Sequence, residues 1–413
     1  MTFSHDLFLL FSSGTPGFSG ILKLLYEERG IPIHEKIKVM TVFGTRPEAI
    51  KMAPLVLALK QRSDEFEAVT VVSAQHRQML DQVLEIFKIT PDYDLDIMKA
   101  RQTLDEITSN VLLHLGDVIE KEKPDIVLVH GDTTTTFAAS VSAFYHQTAI
   151  GHVEAGLRTW DKYSPFPEEM NRQLTDVLSD LYFAPTTQSE ANLLQENHKA
   201  ANIFVTGNTA IDALKQTVQD DYHHDVLDLV DADKRMILVT MHRRENQGEP
   251  MRRVFAVMRD VVEHHDDVEI IYPVHLNPVV QEAAHDILGN HPRIHLIDPL
   301  DVVDFHNLAA RSYFIMTDSG GVQEEAPSLG KPVLVLRDTT ERPEGVVAGT
   351  LKLVGTNPEP VREAMEQLLT DDAEYKRMAT AKNPYGDGEA SRRILDAISY
   401  HFGQRTDKPD TFQ

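Results

Sequence analysis

The sequence predicts an α/β fold made of two doubly wound domains, each built on a parallel sheet. Short apolar runs typical of buried strands alternate with helical stretches from residue 37 onward, and this alternation is characteristic of parallel sheets. The chain has 413 residues, which is enough for two substantial cores, and the pattern restarts after a polar, acidic stretch at residues 220–225. We therefore expect a first domain at residues 37–206, a boundary near Thr206, and a second domain at residues 207–385.

Composition narrows the classes of function. The formal net charge of -24 disfavours a nucleic acid or an anionic membrane as a partner. The chain has no cysteine, which excludes disulfides and thiolate metal sites and fits a reducing compartment. No stretch reaches transmembrane length, and Asp6 stands where a signal peptide would carry Lys or Arg. We expect a cytoplasmic protein in which residues 1–36 form an extension without a catalytic role.

The first domain opens with a strand at residues 37–43 and a turn that begins at Gly44. Arg46 and Lys51 follow, near a helix N-terminus that already favours anions. A solvated basic pair is the simpler interpretation of these two cations alone. The turn is not G-x-G-x-x-G, so a mechanism based on NAD is disfavoured and we expect no cofactor. A strand at residues 68–73 and helices at residues 79–87 and 104–121 come next.

Three carboxylates then follow at the ends of predicted elements. A strand at residues 126–129 ends near Asp132, a strand at residues 149–153 ends at Glu154, and a proline-bounded loop leads into a helix at Glu168. Ligands of open parallel sheets bind outside the carboxyl ends of the strands. The three acids should therefore meet at one crevice, where they would be suited to proton transfer.

Each acid also has a structural interpretation. Asp132 could cap the next helix, Glu168 could complement the positive end of its own helix, and Glu154 could pair with Arg158. Any one of these is the more common case. Their joint position at strand ends, beside Gly131, favours a site.

The second domain carries further candidates. A strand at residues 236–240 ends at His242 and Arg243, in a loop typical of ligand contact. His275 and Phe305 follow the strands at residues 269–272 and 293–297, and Phe305 is more typical of a core than of a stacking platform. The histidines of the acidic stretch at residues 220–225 are interpreted as solvated surface, so no metal site is expected.

The sharpest pattern follows a strand at residues 313–317. Ser319, Gly320 and Gly321 form a strand-to-helix turn whose backbone N–H groups could cradle a phosphate. Glu325, about one helical turn later, could accept hydrogen bonds from sugar hydroxyls. After a further strand at residues 332–336, Arg342 could clamp a phosphate with its two-pronged guanidinium.

These motifs resemble the non-hydrolysing UDP-N-acetylglucosamine 2-epimerases of bacteria. The resemblance runs in order from residue 38 to about residue 398, and the matching segments are residues 43–48 (FGTRPE), 130–134 (HGDTT), 152–158 (HVEAGLR), 167–172 (PEEMNR) and 317–327 (TDSGGVQEEAP). It implies a GT-B fold, in which two Rossmann-like domains face each other across a cleft and a C-terminal helix, within residues 386–413, crosses back to the first domain. The segment before residue 37 has no counterpart in the family.

The resemblance also implies roles for residues that match the family. Those implied to carry the chemistry are Asp132, Glu154, Glu168 and His242. Those implied to hold UDP are Arg46, Lys51, Phe305, Ser319, Gly320, Gly321, Glu325 and Arg342. A second, regulatory molecule of UDP-N-acetylglucosamine is implied beside the active site, with contacts from Gln75, Gln78, Arg101, Gln102, Arg243 and His275.

The implied reaction is inversion at carbon 2 of UDP-N-acetylglucosamine by elimination and re-addition of UDP, without a cofactor. The resemblance also implies a homodimer. The product would supply cell-envelope polysaccharide synthesis. Which of Asp132 and Glu168 serves which face of carbon 2 is left open. Alternatives are a GT-B glycosyltransferase, which would need an acceptor, a hydrolysing epimerase, and a nucleotide-sugar sensor without turnover.

Overall fold

The computed structural model describes residues 36–75, 77–99, 101–340 and 342–413. The extension expected at residues 1–36 therefore lies, except for Lys36, outside the described residues. In the described part of the chain, two parallel sheets are each covered by helices on both faces, which is the predicted α/β architecture.

The first sheet contains seven described strands in the order β3-β2-β1-β4-β5-β6-β7, and every neighbouring pair is parallel. Its strands are β1 (Ile37–Phe43), β2 (Phe66–Val72), β3 (Tyr93–Asp94), β4 (Ile126–His130), β5 (Ala149–Val153), β6 (Leu181–Ala184) and β7 (Ile203–Val205). The helices of this part of the chain are α1 (Arg46–Gln61), α2 (Arg77–Ile86), α3 (Leu104–Glu122), α4 (Thr134–Tyr145), α5 (Glu168–Leu178), α6 (Thr187–Gln195) and α7 (Thr209–Thr217).

The second sheet contains six described strands in the order β10-β9-β8-β11-β12-β13, also all parallel. Its strands are β8 (Arg235–Thr240), β9 (Val268–Pro273), β10 (Ile294–Ile297), β11 (Phe314–Thr317), β12 (Val333–Val335) and β13 (Leu351–Leu353). The remaining helices are α8 (Glu249–His264), α9 (Pro278–Leu288), α10 (Val302–Arg311), α11 (Gly320–Glu325), α12 (Pro343–Ala348), α13 (Pro358–Thr370), α14 (Asp372–Ala379) and α15 (Ala390–His401). Short 3₁₀ segments lie at Ala200–Asn202, Asp225–Leu229, Arg244–Asn246 and Ala326–Leu329.

Both sheets reverse their strand order once, between β1 and β4 and between β8 and β11. This is the order of doubly wound nucleotide-binding sheets, in which the crevice at the reversal receives the ligand. Successive residues of a strand point to opposite faces, so Val39 packs into one core of the first sheet and Met40 into the other. The reversal therefore places a crevice at the carboxyl ends of β1 and β4, and a second one at those of β8 and β11.

The last helix, α15, returns to the first sheet. Ile394, Leu395 and Ile398 are fully buried in the same hydrophobic cluster as Leu55 and Leu59 of α1. Arg62 at the end of α1 also pairs with Asp396 at 2.8 Å. The end of the chain thus contributes to the core of the first domain, as the resemblance implied.

Helix α7 lies between the two sheets. It packs against α1 on one side and against α11 on the other. The stretch after Thr206, where the sequence analysis placed the boundary, therefore contains a helix that touches both domains, and the boundary itself stays a prediction. Among the residues described, no helix is both long enough and apolar enough to cross a membrane.

Candidate active site

Three acidic side chains of the first domain come together at the carboxyl end of its sheet. Strands β4 and β5 are paired in register, with His130 opposite Val153, so Asp132 and Glu154 leave the sheet side by side. Burial raises the pKa of Asp132, and the negative charges of Glu154 and Glu168 raise it further, while Arg172 opposes the shift. The three predicted carboxylates are thus close enough to act on one another electrostatically.

Glu154 is held by partners from several elements. Lys51 Nζ and Asn208 Nδ2 both donate to its Oε1 atom, the latter at 2.9 Å. Burial alone would raise the pKa of Glu154, but the Lys51 ammonium, with its hydrogen bond, and further neighbouring groups that include Arg342 together outweigh burial and hold this pKa well below its usual range. The backbone of Glu154 has a φ of +67°, a conformation that is uncommon for a residue with a side chain and is concentrated at functional sites. Glu154 is therefore an anion in a fixed position.

His130 faces the other oxygen of Glu154. Its Nε2 atom lies 3.7 Å from Glu154 Oε2, and neither ring nitrogen has a hydrogen-bond partner in the described part of the chain. Burial lowers the pKa of His130 to about 4. The imidazole is therefore neutral at physiological pH, and Lys51 is the cation that compensates the charge of Glu154.

The structural alternatives for Asp132 and Glu154 are wrong. Thr133 caps α4 by accepting a hydrogen bond from the backbone N–H of Thr136 at 3.1 Å, so Asp132 does not serve as the cap and instead pairs with Arg172 at 2.8 Å. Arg158 does not reach Glu154, because its guanidinium is engaged by Asp176 and Glu196 at 2.6 Å each.

At the start of α5, the neighbour of Glu168 has the structural role. Glu169 is fully buried and accepts the backbone N–H groups of Thr159 and Trp160 at 3.1 and 3.0 Å. Glu168 is only partly buried. The helix therefore presents Glu168 toward the crevice while Glu169 fixes the preceding loop.

The turn before α1 has fewer backbone N–H groups available to an anion than the sequence predicts. Glu48 is buried and accepts the backbone N–H groups of Gly44 and Thr45 at 3.1 and 2.8 Å. Those two groups are therefore engaged by a carboxylate and do not face an anion. The phosphate-binding role predicted for this turn therefore depends on the side chains of Arg46, at the first position of α1, and of Lys51, and it stays a prediction.

In the second domain, the predicted phosphate turn follows β11. Ser319 precedes α11, which begins at Gly320, and a Cβ atom built on Gly320 would lie 3.6 Å from the guanidinium carbon of Arg342. Arg342 thus lies over the turn, and its role as a phosphate clamp stays a prediction. Glu325, at the end of α11, accepts a hydrogen bond from His306 at 3.2 Å, which orients its carboxylate.

Asp318 ties the neighbouring loop to this turn. Its Oδ2 atom accepts the backbone N–H groups of His242 and Arg243 at 2.9 and 2.8 Å. The ring of His242 stacks on that of His275 with centroids 5.3 Å apart, and burial lowers the pKa of His242. The loop after β8 is thereby held at the same edge of the sheet as Ser319.

Two residues missed by the sequence analysis connect the domains. Glu324 is almost completely buried, accepts Arg342 Nε at 2.6 Å, and lies 3.6 Å from Lys51 Nζ. Asn208 donates to both Glu154 and Glu324, at 2.9 and 3.1 Å. The contacts of Asn208 with Glu154 and Glu324, and that of Glu324 with Lys51, could not be inferred from the sequence, because each joins residues more than fifty positions apart. The acidic pair after Gly321 was the only signal, and it was assigned to Glu325.

The residues assigned to a second sugar nucleotide fall into two groups. In the first domain, the side-chain oxygen of Gln75 accepts a hydrogen bond from Thr135 at 2.9 Å, and the backbone carbonyl of Gln75 lies 3.4 Å from Gln102 Nε2. Gln78 and Arg101 are exposed. In the second domain, Arg243 and His275 belong to the loop ends described above. Both groups lie at carboxyl ends of the strands.

Phe305 lies beside the core of the second domain. Phe305 is half-buried and packs against the second-domain core, which agrees with the core interpretation.

His223, Asp225 and Asp228 have ligand atoms within 4.8 Å of one another, and all three are exposed. Among the described residues, these three side chains form the group whose spacing would suit a metal ion.

Comparison with known proteins identifies the family of the chain. The family model described as UDP-N-acetylglucosamine 2-epimerase matches residues 58–399. A UDP-N-acetylglucosamine 2-epimerase from Bacillus subtilis (strain 168) is 67% identical over 378 residues, which cover 92% of this chain and 99% of the relative. The chain belongs to the bacterial, non-hydrolysing UDP-N-acetylglucosamine 2-epimerase family.

Solved structures of this epimerase family support the fold. A crystal structure of UDP-N-acetylglucosamine 2-epimerase superposes with a TM-score of 0.86 at 64% identity and covers 92% of this chain and 100% of that one. The epimerase from Neisseria meningitidis bound to UDP-GlcNAc has a TM-score of 0.78 at 49% identity and covers 88% and 99%. The two α/β domains therefore form a GT-B fold, as the resemblance implied.

Proposed function

We propose that the chain catalyses the reversible epimerisation of UDP-N-acetylglucosamine to UDP-N-acetylmannosamine by elimination and re-addition of UDP. The proposal rests on one observation. Carboxylates suited to proton transfer and groups suited to phosphate binding lie together between the two domains. Asp132, Glu154 and Glu168 come from the first domain, while Arg342 and the turn at Ser319 come from the second. The names of the relatives and the bound UDP-GlcNAc of the Neisseria enzyme support this substrate.

The first half of the reaction breaks two bonds. The bond from carbon 1 to the diphosphate oxygen breaks, and its electron pair leaves with UDP. Positive charge develops on the sugar ring, which makes the proton on carbon 2 acidic, and a carboxylate accepts that proton. The electrons of the carbon–hydrogen bond form a double bond between carbons 1 and 2. The products are a glycal and UDP, which stay in the cleft.

The contacts suggest different roles for the acids. Glu154 is held as an anion by Lys51, so it is suited to stabilise the positive charge of the ring and is a weak proton acceptor. The pKa of Asp132 is raised by burial, which suits a group that must gain and lose a proton. We assign proton transfer at carbon 2 to Asp132 and Glu168, and electrostatic stabilisation to Glu154.

The leaving group is stabilised from the second domain. Arg342 and the backbone N–H groups at Gly320 and Gly321 face the charge that develops on the diphosphate, with Lys51 and Arg46 opposite. His242, whose backbone is held by Asp318, contacts the sugar diphosphate from the loop after β8. Glu325 and Phe305 hold the uridine side. In the return half, carbon 2 is protonated on its opposite face and the UDP oxygen attacks carbon 1.

Proton NMR of the protein with UDP-N-acetylglucosamine in heavy water tests this function. We expect UDP-N-acetylmannosamine with deuterium at carbon 2, because the proton exchanges with solvent while it is on a carboxylate. Free N-acetylmannosamine would indicate a hydrolysing enzyme instead. No conversion without an added acceptor would favour a glycosyltransferase or a sensor, and an epimer without deuterium would exclude the elimination route.

We further propose that a second UDP-N-acetylglucosamine molecule regulates the reaction. It would bind between Gln75, Gln78, Arg101 and Gln102 of the first domain and Arg243 and His275 of the second. A ligand that touches both domains favours their closed arrangement. The initial rate should then depend sigmoidally on substrate concentration, and Arg243→Ala should make that dependence hyperbolic. A hyperbolic curve for the unaltered protein would contradict the proposal.

We propose that two copies of the chain pair through an apolar face of the first domain. Helices α3, α4 and α5 pack side by side and expose large apolar side chains, namely Leu113, Phe144, Tyr145, Leu174 and Val177. Leu113 and Val177 are each 70% exposed. Contiguous apolar surface of this kind marks association sites.

Sedimentation velocity tests this pairing. The unaltered chain should sediment as a dimer, and Val177→Asp combined with Tyr145→Asp should give a monomer, because charge at the centre of an apolar interface opposes pairing. Leu229→Asp, at an exposed position of the second domain, should leave the dimer intact. A monomeric unaltered chain would contradict the proposal. The cytoplasmic location inferred from the sequence stays a prediction.

A further inference from the structure

Asn208 is the one amide side chain that touches both the sugar side and the UDP side of the site among the described residues. It is 4% exposed and lies directly before α7, the helix between the two domains. Its Oδ1 atom caps α7 by accepting the backbone N–H of Ala210 at 2.9 Å, and its own backbone N–H donates to the carbonyl of Tyr385 at 2.7 Å. These bonds fix which way the amide points, because Oδ1 must accept and Nδ2 must donate.

The Nδ2 group then serves two carboxylates at once. It donates to Glu154 Oε1 of the first domain at 2.9 Å and to Glu324 Oε2 of the second at 3.1 Å. Two like charges this close repel each other, and Lys51 supplies one compensating positive charge to the pair. Hydrogen bonds from a neutral donor to ionised acceptors are stronger than those between neutral groups, so Asn208 contributes to holding both anions in place.

Glu324 extends this set of contacts to the phosphate turn. Its second oxygen, Oε1, accepts Arg342 Nε at 2.6 Å, and the Arg342 guanidinium lies over Gly320. A continuous series of hydrogen bonds therefore runs from the arginine at the diphosphate, through Glu324 and Asn208, to Glu154 at the sugar.

We propose that Asn208 is a positioning residue for the reaction, which holds Glu154 at the sugar and Glu324 behind Arg342 in a fixed relation across the cleft. It acts through these two carboxylates and does not itself touch the reacting atoms. This inference rests on the epimerase function proposed above. Its consequence is that a change at Asn208 alters the chemical step by displacing Glu154, and alters UDP binding only through Glu324.

Two substitutions separate this role from helix capping. Asn, Asp and Ser are about equally good N-cap residues, so Asn208→Ser and Asn208→Asp both preserve the cap of α7. Asn208→Ser removes the shared amide donor, and Asn208→Asp replaces it with a third negative charge. A residue needed only as a cap would give three proteins with equal turnover.

We expect kcat to fall about tenfold or more in Asn208→Ser and further in Asn208→Asp, because each hydrogen bond to a charged group is worth about one power of ten. UDP binding, measured by calorimetry, should change less than kcat in Asn208→Ser. The effect of Asn208→Asp on kcat should be smaller in a Glu324→Gln background, because one of the repelling carboxylates is then neutral. Asp371→Ser, which alters the cap of α14 away from the site, should have unaltered kcat.

Equal kcat in the unaltered, Ser and Asp proteins, with melting temperatures unchanged, would overturn the proposal. Strictly additive effects of Asn208→Asp and Glu324→Gln would also overturn it. If a substitution at Asn208 unfolds the protein, the proposal is tested with Glu324→Gln alone. That variant should weaken UDP binding and lower kcat together. Failure of the proposed function is seen separately, because the unaltered protein would then show no epimerisation at all.

Discussion

Asp132 and Glu154 stand side by side at the ends of paired strands, yet their pKa values are shifted in opposite directions. Burial dominates at Asp132, where Arg172 compensates only in part, and the pKa rises. At Glu154 burial is opposed by the ammonium of Lys51 together with other neighbouring groups, and the pKa falls. Pairs of acids whose environments separate their pKa values are the usual way in which one site obtains both a proton carrier and a fixed anion.

Replacing the two proton carriers should affect turnover far more than binding. Asp132→Asn and Glu168→Gln each remove a proton acceptor with little change in size, and we expect kcat to fall by about a hundredfold or more in each. UDP affinity measured by calorimetry should stay within a few-fold, because UDP is held mainly by other groups. Asp64→Asn, at an exposed position, is the matched control. Near-native kcat in both variants would remove these residues from the mechanism.

His130 should make the protein less stable in acid. Its folded-state pKa of about 4 lies below the ordinary value of 6.5, so between these two pH values the unfolded chain binds more protons than the folded one. The contribution of neutral His130 is complete above about pH 6.5 and is lost as the pH falls toward 4, by about 3 kcal/mol at most.

Urea unfolding at several pH values checks this. The free energy of unfolding should fall less steeply between pH 6.5 and 4 in His130→Leu than in the unaltered protein, whereas His285→Leu, at an exposed position, should not change the slope. Identical slopes for all three proteins would show that His130 is protonated in the folded state.

At the scale of elements, most of the described strands could be predicted, but three short ones could not. The strands predicted at residues 37–43 and 149–153 coincide with β1 and β5, because well-bounded apolar runs identify them. Strand β6, of four residues, was missed, and so were β3 and β13. The last two contain two and three residues, so they depend on pairing with β2 and β12 and carry almost no periodicity of their own.

The crossing helix was predicted near its observed place, and its packing can be tested. Leu395 is fully buried in the first-domain core, so Leu395→Ala should lower the free energy of unfolding by about 2–5 kcal/mol through lost burial and a new cavity. Equilibrium unfolding in urea measures the change. Leu229→Ala, at a half-exposed position, should change it by less than about 0.5 kcal/mol. Equal small effects at both positions would contradict the docking of α15.

For the whole molecule, the site depends on an arrangement of two domains that the sequence does not encode locally. The strand-end position of Asp132, Glu154, His242 and Ser319 could be predicted, because sheet topology decides which loops share an edge. The contacts of Glu324 and Asn208 could not, because they depend on how the two sheets are placed against each other. A carboxylate that binds an arginine has the same sequence pattern as one that is solvated.

Ligand binding should therefore stabilise the entire protein. UDP at a concentration of one hundred times its Kd should raise the free energy of unfolding by about 2.7 kcal/mol, since it binds only the folded chain. At a fixed UDP concentration, the rise in melting temperature should be smaller in Arg342→Lys and smallest in Arg342→Ala, because Lys keeps the charge but loses the fork that Glu324 orients. Equal losses in the two variants would count against a phosphate clamp.

The return of α15 to the first sheet has a consequence for synthesis on the ribosome. The strands of the first sheet are translated before those of the second, but Ile394, Leu395 and Ile398, which belong to the core of the first domain, are translated only after the second sheet. Contacts between residues so far apart in the chain form late. Until α15 emerges, the surface of α1 that will receive it is uncovered, and apolar surface exposed in this way invites aggregation. The first domain therefore begins to be translated before the second but is completed after it.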